Sequence, residues 1–153
     1  MKPNVKIKKL SESASVPKYA TAGSMCFDFV ATTLNGGQDE VVLKHGSPVV
    51  CGTGLSMEIP EGYGLKVHSR SGHGFNSSSR LANCTGLIDA DYRGEIMIKL
   101  VCDNPDFKGI TLKPGDKVAQ GEIVEVVQFE FEVVDELSTT ERGAGGFGST
   151  DKK

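Results

Sequence analysis

Hydrophobic and polar residues alternate with a period of two in several short segments of the chain. In "EIMIKLV", Ile96, Ile98 and Leu100 fall on one side of an extended backbone, and Glu95 and Lys99 fall on the other. This alternation is typical of an antiparallel strand with one buried face. The segment therefore predicts a strand over residues 95–101.

The segment "QFEFEV" has the same pattern, with Phe129, Phe131 and Val133 alternating with polar residues. It predicts a second strand whose apolar face belongs to the core. Further candidate strands lie between clusters of Gly, Pro and Asp, and helical periodicity is nearly absent. Many short strands with such breaks favour an all-β sandwich, barrel or jelly roll. The further candidates are residues 5–9, 26–31, 40–43, 49–58, 64–68 and 117–127.

The alternation stops after Glu136, where "LSTTERGAGGFGSTDKK" begins. We therefore predict a β-domain over residues 1–136 and a flexible Gly-rich arm over residues 137–153. Within the arm, "RGAGGFGST" combines glycines with Arg142, a composition that can bring backbone N–H groups and a guanidinium to a phosphate. The lysine and following helix of a P-loop are missing. A disordered tail is the alternative interpretation.

Length and charge narrow the class of protein. The chain has 153 residues, which fits one domain, and a formal net charge of −3. This charge does not favour a nucleic-acid or membrane-surface partner. No apolar run reaches the ~20 residues of a membrane helix. The cysteines are widely spaced and form no C-x-x-C pair, so we expect free thiols in the cytoplasm. They are Cys26, Cys51, Cys84 and Cys102.

Two internal stretches carry candidate chemistry. In "HSRSGHGF", Arg70, Ser71 and Gly72 offer a guanidinium, a hydroxyl and an open backbone N–H to a phosphate. An exposed polar turn is the alternative, and the flanking histidines are expected at the surface or hydrogen-bonded. In "GLIDADYRGEI", Asp89 ends a strand and a tight turn leads into the next strand, which predicts a hairpin. Asp89 is then a candidate general base and Tyr92 a pocket wall, although both also suit an ordinary turn.

Two polar residues interrupt apolar strands. Gln120 follows "PGDKVA", where it is either a structural hydrogen-bonding group or a ligand contact. Asp28 lies between Phe27 and Phe29, where a carboxylate needs a charged partner, a hydrogen bond, a metal or solvent.

The order of these pieces resembles that of the trimeric dUTP diphosphatases (dUTPases). Five segments match in order, spanning residues 19–150: "AGSMCFDFVA", "VHSRSG", "NCTGLIDADYRGEI", "PGDKVAQ" and "RGAGGFGST". The resemblance implies a distorted jelly-roll β-barrel, a homotrimer with sites shared between subunits, and Mg²⁺-assisted hydrolysis of dUTP to dUMP and pyrophosphate. Such an enzyme limits uracil incorporation into DNA and supplies dUMP for thymidylate synthesis.

The resemblance also assigns roles to residues of this chain. Asp89 is implied to activate the water that attacks the α-phosphate, and Asp28 to lie near Mg²⁺ through water. Tyr92 is implied to stack under the deoxyribose and exclude a 2′-hydroxyl. The implied uracil contacts are Asn83, Gly86 and Leu87, and the implied phosphate contacts in the β-domain are Arg70, Ser71, Gly72 and Gln120. In the arm, Phe147 is implied to stack on uracil, and Arg142, Gly148, Ser149 and Thr150 to contact phosphates.

The chain departs from the family pattern at Cys26, where Gly is common, and at Ser69, where Pro is common. The Gly- and Ser-rich stretch after Gly72 also argues against the family's one helix. Ser-Arg-Ser is similar to the related dCTP deaminases, which are the enzymatic alternative. A trimer that binds a regulatory protein, gated by dUTP, is the non-catalytic alternative.

Overall fold

The computed structural model describes residues 3–147 of the chain. These residues form twelve short strands and one helix, in an order that alternates strands with tight turns. The elements are β1 Lys6–Lys9, β2 Phe27–Val30, β3 Thr33–Leu34, β4 Val41–Leu43, β5 Val49–Gly52, β6 Leu55–Glu58, β7 Tyr63–His68, α1 Ser71–Ser77, β8 Ser79–Leu81, β9 Thr85–Ile88, β10 Met97–Cys102, β11 Ile110–Leu112 and β12 Lys117–Glu125.

The strands pair antiparallel in four small sheets, which together form a distorted jelly roll. The two four-stranded sheets have the orders β3-β5-β10-β8 and β2-β12-β7-β9. The two-stranded sheets are β1-β6 and β11-β4. The predicted all-β class is confirmed.

The inner faces of the two four-stranded sheets form the core. Ile96, Ile98 and Leu100 are buried, whereas Met97 and Lys99 are exposed, as the alternation predicted. Full burial of one such side chain stabilises the fold by about 1.5–3 kcal/mol. The period-two pattern therefore identifies the inner face of β10 correctly.

A glycine on β12 makes room for aromatic residues in the neighbouring strand. A Cβ at Gly121 would lie 2.9 Å from the Phe27 ring and 2.8 Å from the Phe29 ring. The two rings pack edge to face, with centroids 5.5 Å apart. Gly121 points inward, so its neighbour Gln120 points out of the opposite face of this sheet.

The strand pairing corrects the predicted hairpin. β9 pairs with β7, and β10 pairs with β5 and β8, so the turn after Asp89 connects two different sheets. Alternation marks the buried face of a strand but contains no information on its partner. The candidate strand over residues 49–58 is likewise two strands, because Gly54 between them has φ +65. The short strands β3, β8 and β11 were not predicted, since two or three residues carry no readable period.

The prediction for "QFEFEV" is wrong. The last strand within the described residues ends at Glu125. Phe129, Phe131 and Val133 are 75%, 99% and 99% exposed, so they do not belong to the core of this chain. The boundary placed after residue 136 stays a prediction.

The expectation that no helix follows Gly72 is also wrong. α1 forms there, with the Gly74 N–H donating to the Arg70 carbonyl at 3.0 Å, and it ends at Ser78 with φ 49. Ser77 is buried, and its carbonyl accepts the thiol of Cys102 on β10 at 3.5 Å. This tertiary anchoring outweighs the poor helix propensity of Gly and Ser. Within residues 3–147, no helix is long and apolar enough to cross a membrane.

Candidate active site

Two cations share the carboxylate of Asp28 on the outer face of one sheet. Arg70 Nε donates to Oδ1 at 3.1 Å, and Lys117 Nζ lies 2.7 Å from Oδ2. Arg70 also donates from Nη1 to the Lys117 carbonyl at 3.3 Å. The group combines two positive charges with one negative charge, so it carries an excess positive charge that suits a phosphate.

The two cations change the pKa of Asp28. Burial raises the pKa of this carboxyl, but the bond with Lys117 and the charge of Arg70 outweigh burial and hold the pKa below its ordinary value. Asp28 is therefore ionised at neutral pH. Lys117 was not singled out in the sequence, because its place beside Asp28 depends on the pairing of β12 with β2.

The segment from the end of β7 into the first turn of α1 presents open backbone to solvent. Ser71 and Gly72 are exposed, and a Cβ added at Gly72 would meet nothing within 4 Å. Arg70, Gly72 and Lys117 line a cleft of about 560 Å³. The structure thus brings Asp28, Lys117 and the predicted phosphate-binding segment Arg70–Gly72 (the phosphate loop) together, although the three are far apart in sequence.

The two histidines beside this loop differ in environment. His68 lies 3.0 Å from Glu122 through Nε2, which confirms a hydrogen-bonded histidine. His73 has a buried Nδ1 atom with no hydrogen-bond partner within residues 3–147, which the sequence did not indicate. Burial and the nearby charge of Arg70 lower the pKa of His73, so this imidazole is neutral at pH 7.

Gln120 lies opposite Asp28 in the β2–β12 ladder. Its side-chain Nε2 donates to the Ser69 carbonyl at 2.9 Å. Gln120 therefore already has a structural hydrogen bond, and it contacts the residue directly before the phosphate loop.

A second cavity, of about 290 Å³, lies between β8, β9 and β10. Asn83, Gly86 and Leu87 line it together with apolar residues that include Leu81 and Ile98. A Cβ at Gly86 would lie 3.2 Å from the Cβ of Val67 and 3.6 Å from Asn83 Nδ2, so glycine permits the close approach of these strands. The cavity has an apolar floor and polar groups at its edge, as binding sites for small molecules commonly do.

Asp89 follows β9 directly and is exposed. Within residues 3–147 its carboxylate accepts no hydrogen bond, so both oxygens remain available to water. Its carbonyl accepts the Tyr92 N–H at 3.2 Å, and the Tyr92 hydroxyl donates to the Glu95 carbonyl at 3.0 Å. A Cβ at Gly94 would overlap the Tyr92 hydroxyl. Gly94 therefore lets the Tyr92 ring fold over the turn.

The two cavities of one chain are separate, because the residues lining them do not overlap. The predicted base-contacting residues line one cavity, and Arg70 and Gly72 line the other. In the arm, Arg142 and Phe147 are exposed, and Arg142 Nε donates to the Gly145 carbonyl at 2.9 Å. Gly148, Ser149 and Thr150 lie outside the described residues.

The described part of the chain contains no cluster of three or more His, Cys, Asp or Glu side chains able to hold a metal ion. Asp28, the predicted metal-side residue, already binds two cations through its oxygens. Because both carboxylate oxygens of Asp28 are already paired with cations, Asp28 fits a water-mediated role near a metal ion better than direct coordination of the ion.

Comparisons with known proteins agree with this architecture. A family model for dUTPase matches residues 12–151. The deoxyuridine 5′-triphosphate nucleotidohydrolase of Nautilia profundicola is 42% identical over 148 residues, covering 97% of this chain and 99% of that protein. The enzyme of the same name from Bdellovibrio bacteriovorus is 44% identical over 147 residues, covering 95% of each.

A solved structure is similar over nearly the whole chain. The dUTPase of Staphylococcus bacteriophage 80alpha with dUPNHPP superposes with a TM-score of 0.80 and 28% identity, covering 95% of this chain and 97% of that chain. It is one of the phage dUTPases that control transfer of virulence genes. The family match, the two relatives and the shared fold together place this chain in the dUTPase family.

Proposed function

We propose that this dUTPase-family enzyme hydrolyses dUTP to dUMP and pyrophosphate, and thereby limits uracil incorporation into DNA and supplies dUMP for thymidylate synthesis. The observation that carries the proposal is the Asp89 carboxylate. It is exposed at the end of β9, beside the Tyr92 turn, and next in sequence to the strand that lines the 290 Å³ cavity. A carboxylate without intramolecular partners can orient and deprotonate a water.

In this proposal, the cavity lined by Asn83, Gly86 and Leu87 selects the base. The amide of Asn83 and the backbone of β9 offer donors and acceptors to the uracil edge. The short distance between β9 and β7 at Gly86 supports a narrow pocket that excludes a thymine methyl group. Tyr92 supports the deoxyribose and excludes a 2′-hydroxyl.

Arg70, Ser71, Gly72 and Gln120 hold the phosphates in this proposal. Its support is the excess positive charge of Arg70 and Lys117 around Asp28 and the exposed backbone at Gly72. Bound Mg²⁺ supplies charge neutralisation to the triphosphate. Asp28 would act on the ion through water, and no cage of protein ligands is required.

The arm completes the site in this proposal. Phe147 stacks on the uracil ring, and Arg142 and the following Gly148, Ser149 and Thr150 contact phosphates. The support is that Arg142 and Phe147 are exposed and that their side chains are not part of the core. Closure of such a segment excludes bulk water and fixes the line of attack.

We also propose a homotrimer with sites shared between subunits. Two observations support sharing: the base cavity and the phosphate cleft of one chain have no lining residue in common, and the apolar side chains of 129–133 are exposed. A neighbouring subunit that buried these side chains would bring the two halves of a site together.

The cytoplasm is the proposed location. The four cysteines are unpaired, which suits a reducing compartment. Burial raises the pKa of the Cys51 thiol to about 12, so this thiol stays protonated.

A protein-binding role gated by dUTP is the second candidate. It is favoured by the likeness to the phage 80alpha dUTPase, since phage dUTPases control transfer of virulence genes. The dCTP deaminase alternative lacks a supporting observation. A pull-down with and without dUPNHPP tests the binding role.

The direct test of the proposed function is release of pyrophosphate from dUTP, dCTP, dTTP and UTP, with Mg²⁺ and then with excess chelator. We expect rapid Mg²⁺-stimulated release from dUTP alone. Ammonia release from dCTP with dUTP untouched would instead establish a deaminase. No reaction with any nucleotide would leave only the binding role.

The assignment of the base is tested by Asp89→Asn, which preserves shape and removes basicity. We expect kcat to fall by about 10²–10⁴-fold with nucleotide binding retained. Asp91→Asn is the matched control, because Asp91 is an exposed aspartate of the same turn. Full activity of Asp89→Asn would contradict the assignment.

A further inference from the structure

Ser69 lies between β7 and the phosphate loop Arg70–Gly72, and it bonds to two other strands. Its Oγ accepts the Leu81 N–H at 2.9 Å. Its carbonyl accepts Gln120 Nε2 at 2.9 Å. The residue directly before the phosphate loop is therefore fixed to β8 on one side and to β12 on the other.

The bond to Leu81 satisfies a donor that the sheet does not. β8 is an edge strand of its sheet, so it pairs with β10 on one side and with no strand of that sheet on the other. Leu81 is 2% exposed, so its N–H has little access to water. A buried N–H without an acceptor is costly, and the Ser69 hydroxyl provides that acceptor. An alanine or proline at position 69 has no hydroxyl and leaves the Leu81 N–H unsatisfied.

The bond from Gln120 connects the same point to the Asp28 group. Gln120 lies opposite both Asp28 and His68 in the β12 ladders. Arg70, the residue after Ser69, binds Asp28. Ser69 thus fixes one end of the phosphate loop, and the ion pair with Asp28 fixes its arginine.

We propose that Ser69 is a positioning residue for the triphosphate, which holds the loop Arg70–Gly72 and the amide of Gln120 in register with each other. The inference rests on the proposed function, since it takes the loop to contact the phosphates of dUTP. Ser69 acts through its neighbours and does not contact the reacting atoms. It determines the affinity for the β- and γ-phosphates and leaves the contacts with the base unchanged.

The test compares two ligands in Ser69→Ala and Ser69→Thr. Loss of one hydrogen bond to the loop is expected to weaken binding of dUPNHPP about five- to tenfold. Binding of dUMP, which lacks the β- and γ-phosphates, should change less than about twofold, and KM for dUTP should rise more than kcat falls. Ser69→Thr keeps the hydroxyl and should restore dUPNHPP binding.

Ser11→Ala is the matched control, because the Ser11 hydroxyl also accepts a main-chain N–H, from Ser13 at 3.3 Å, but in the N-terminal segment. This variant should bind both ligands as the unchanged protein does. A thermal melt of each variant separates a loss of fold from a loss of positioning.

Equal weakening of dUMP and dUPNHPP in Ser69→Ala would overturn the inference, because it indicates a general structural role. Unchanged dUPNHPP binding would overturn it as well. Either result, with normal dUTP hydrolysis by the unchanged protein, leaves the proposed function standing. Absence of hydrolysis by the unchanged protein would overturn both.

Discussion

Asp28 connects the stability of the fold to pH, because two cations share its carboxylate. Its pKa in the folded chain lies below the ordinary value of 3.8. The pairing of Asp28 with Arg70 and Lys117 therefore stabilises the fold at pH values above the pKa of Asp28 in the unfolded chain. This contribution is lost as the pH falls through the lower pKa of Asp28 in the folded chain. The pairs are partly exposed, so salt should weaken them.

We expect Asp28→Asn to lower the free energy of unfolding at pH 7 by about 1–2 kcal/mol. The difference from the unchanged protein should shrink below about pH 3.8, where the carboxyl begins to protonate in the unfolded chain. Urea denaturation at pH 7, 5 and 3 measures it. Asp39→Asn, at an exposed aspartate outside the described ion pairs, is the control. Equal stability of Asp28→Asn at pH 7 would contradict the prediction.

At the scale of residues, the sequence identified site candidates but not their partners. Arg70 and Asp28 were each singled out, yet their contact joins positions 42 residues apart. Lys117 was missed for the same reason, since a lysine at the start of a strand looks ordinary until the neighbouring strand is known. The buried Nδ1 of His73 also depends on packing that no local pattern encodes.

At the scale of elements, the connection from β9 to β10 determines where Tyr92 lies. Gly94→Ala is expected to displace the Tyr92 ring, because the new Cβ would overlap its hydroxyl. If Tyr92 excludes the 2′-hydroxyl, the ratio of kcat/KM for dUTP to that for UTP should fall about three- to tenfold. Steady-state kinetics with both nucleotides measures this ratio.

Gly23→Ala is the control for this prediction, because an added Cβ there meets nothing within 4 Å. It should keep the ratio of the unchanged protein. An unchanged ratio in Gly94→Ala would show that the position of the Tyr92 ring does not determine sugar selection.

Among the longer strands, β10 was predictable because its alternation reflects one buried face. Three kinds of element were not. The shortest strands have no readable period, α1 depends on the buried carbonyl of Ser77, and the pairing of β9 with β7 depends on sheet topology. The strand predicted at "QFEFEV" failed in a different way, because the alternation is real but its apolar side packs against nothing among residues 3–147.

At the scale of the whole molecule, the exposed apolar side chains of that segment lead to a prediction about assembly. Phe131→Ser should weaken the proposed trimer and shift the protein toward monomers at low micromolar concentration, because Phe131 is 99% exposed in one chain. Size-exclusion chromatography with light scattering measures the mass. Glu132→Ser, on the other side of the alternation, should leave the mass unchanged. Identical masses for both variants would argue against a role of this face in assembly.

The all-β class of the fold could be predicted from the sequence. Many short segments with strand alternation and almost no helical periodicity are compatible with only a sandwich, a barrel or a jelly roll. The separation of the 290 Å³ cavity from the 560 Å³ cleft did not follow, because motif order along a chain does not specify which motifs meet in space. That separation is the physical argument for sites built from more than one subunit.

The stretch of chain that follows β12 also has a definite reach. An extended chain spans about 3.3–3.6 Å per residue, so residues 126–147 can cover roughly 75 Å. A folded body of about 125 residues has a radius of gyration of only about 14 Å. The stretch is long enough to pass across one subunit and reach the surface of a neighbouring one. In the proposed trimer, tethering over such a span would keep Phe147 at a high effective concentration around the sites of all three subunits.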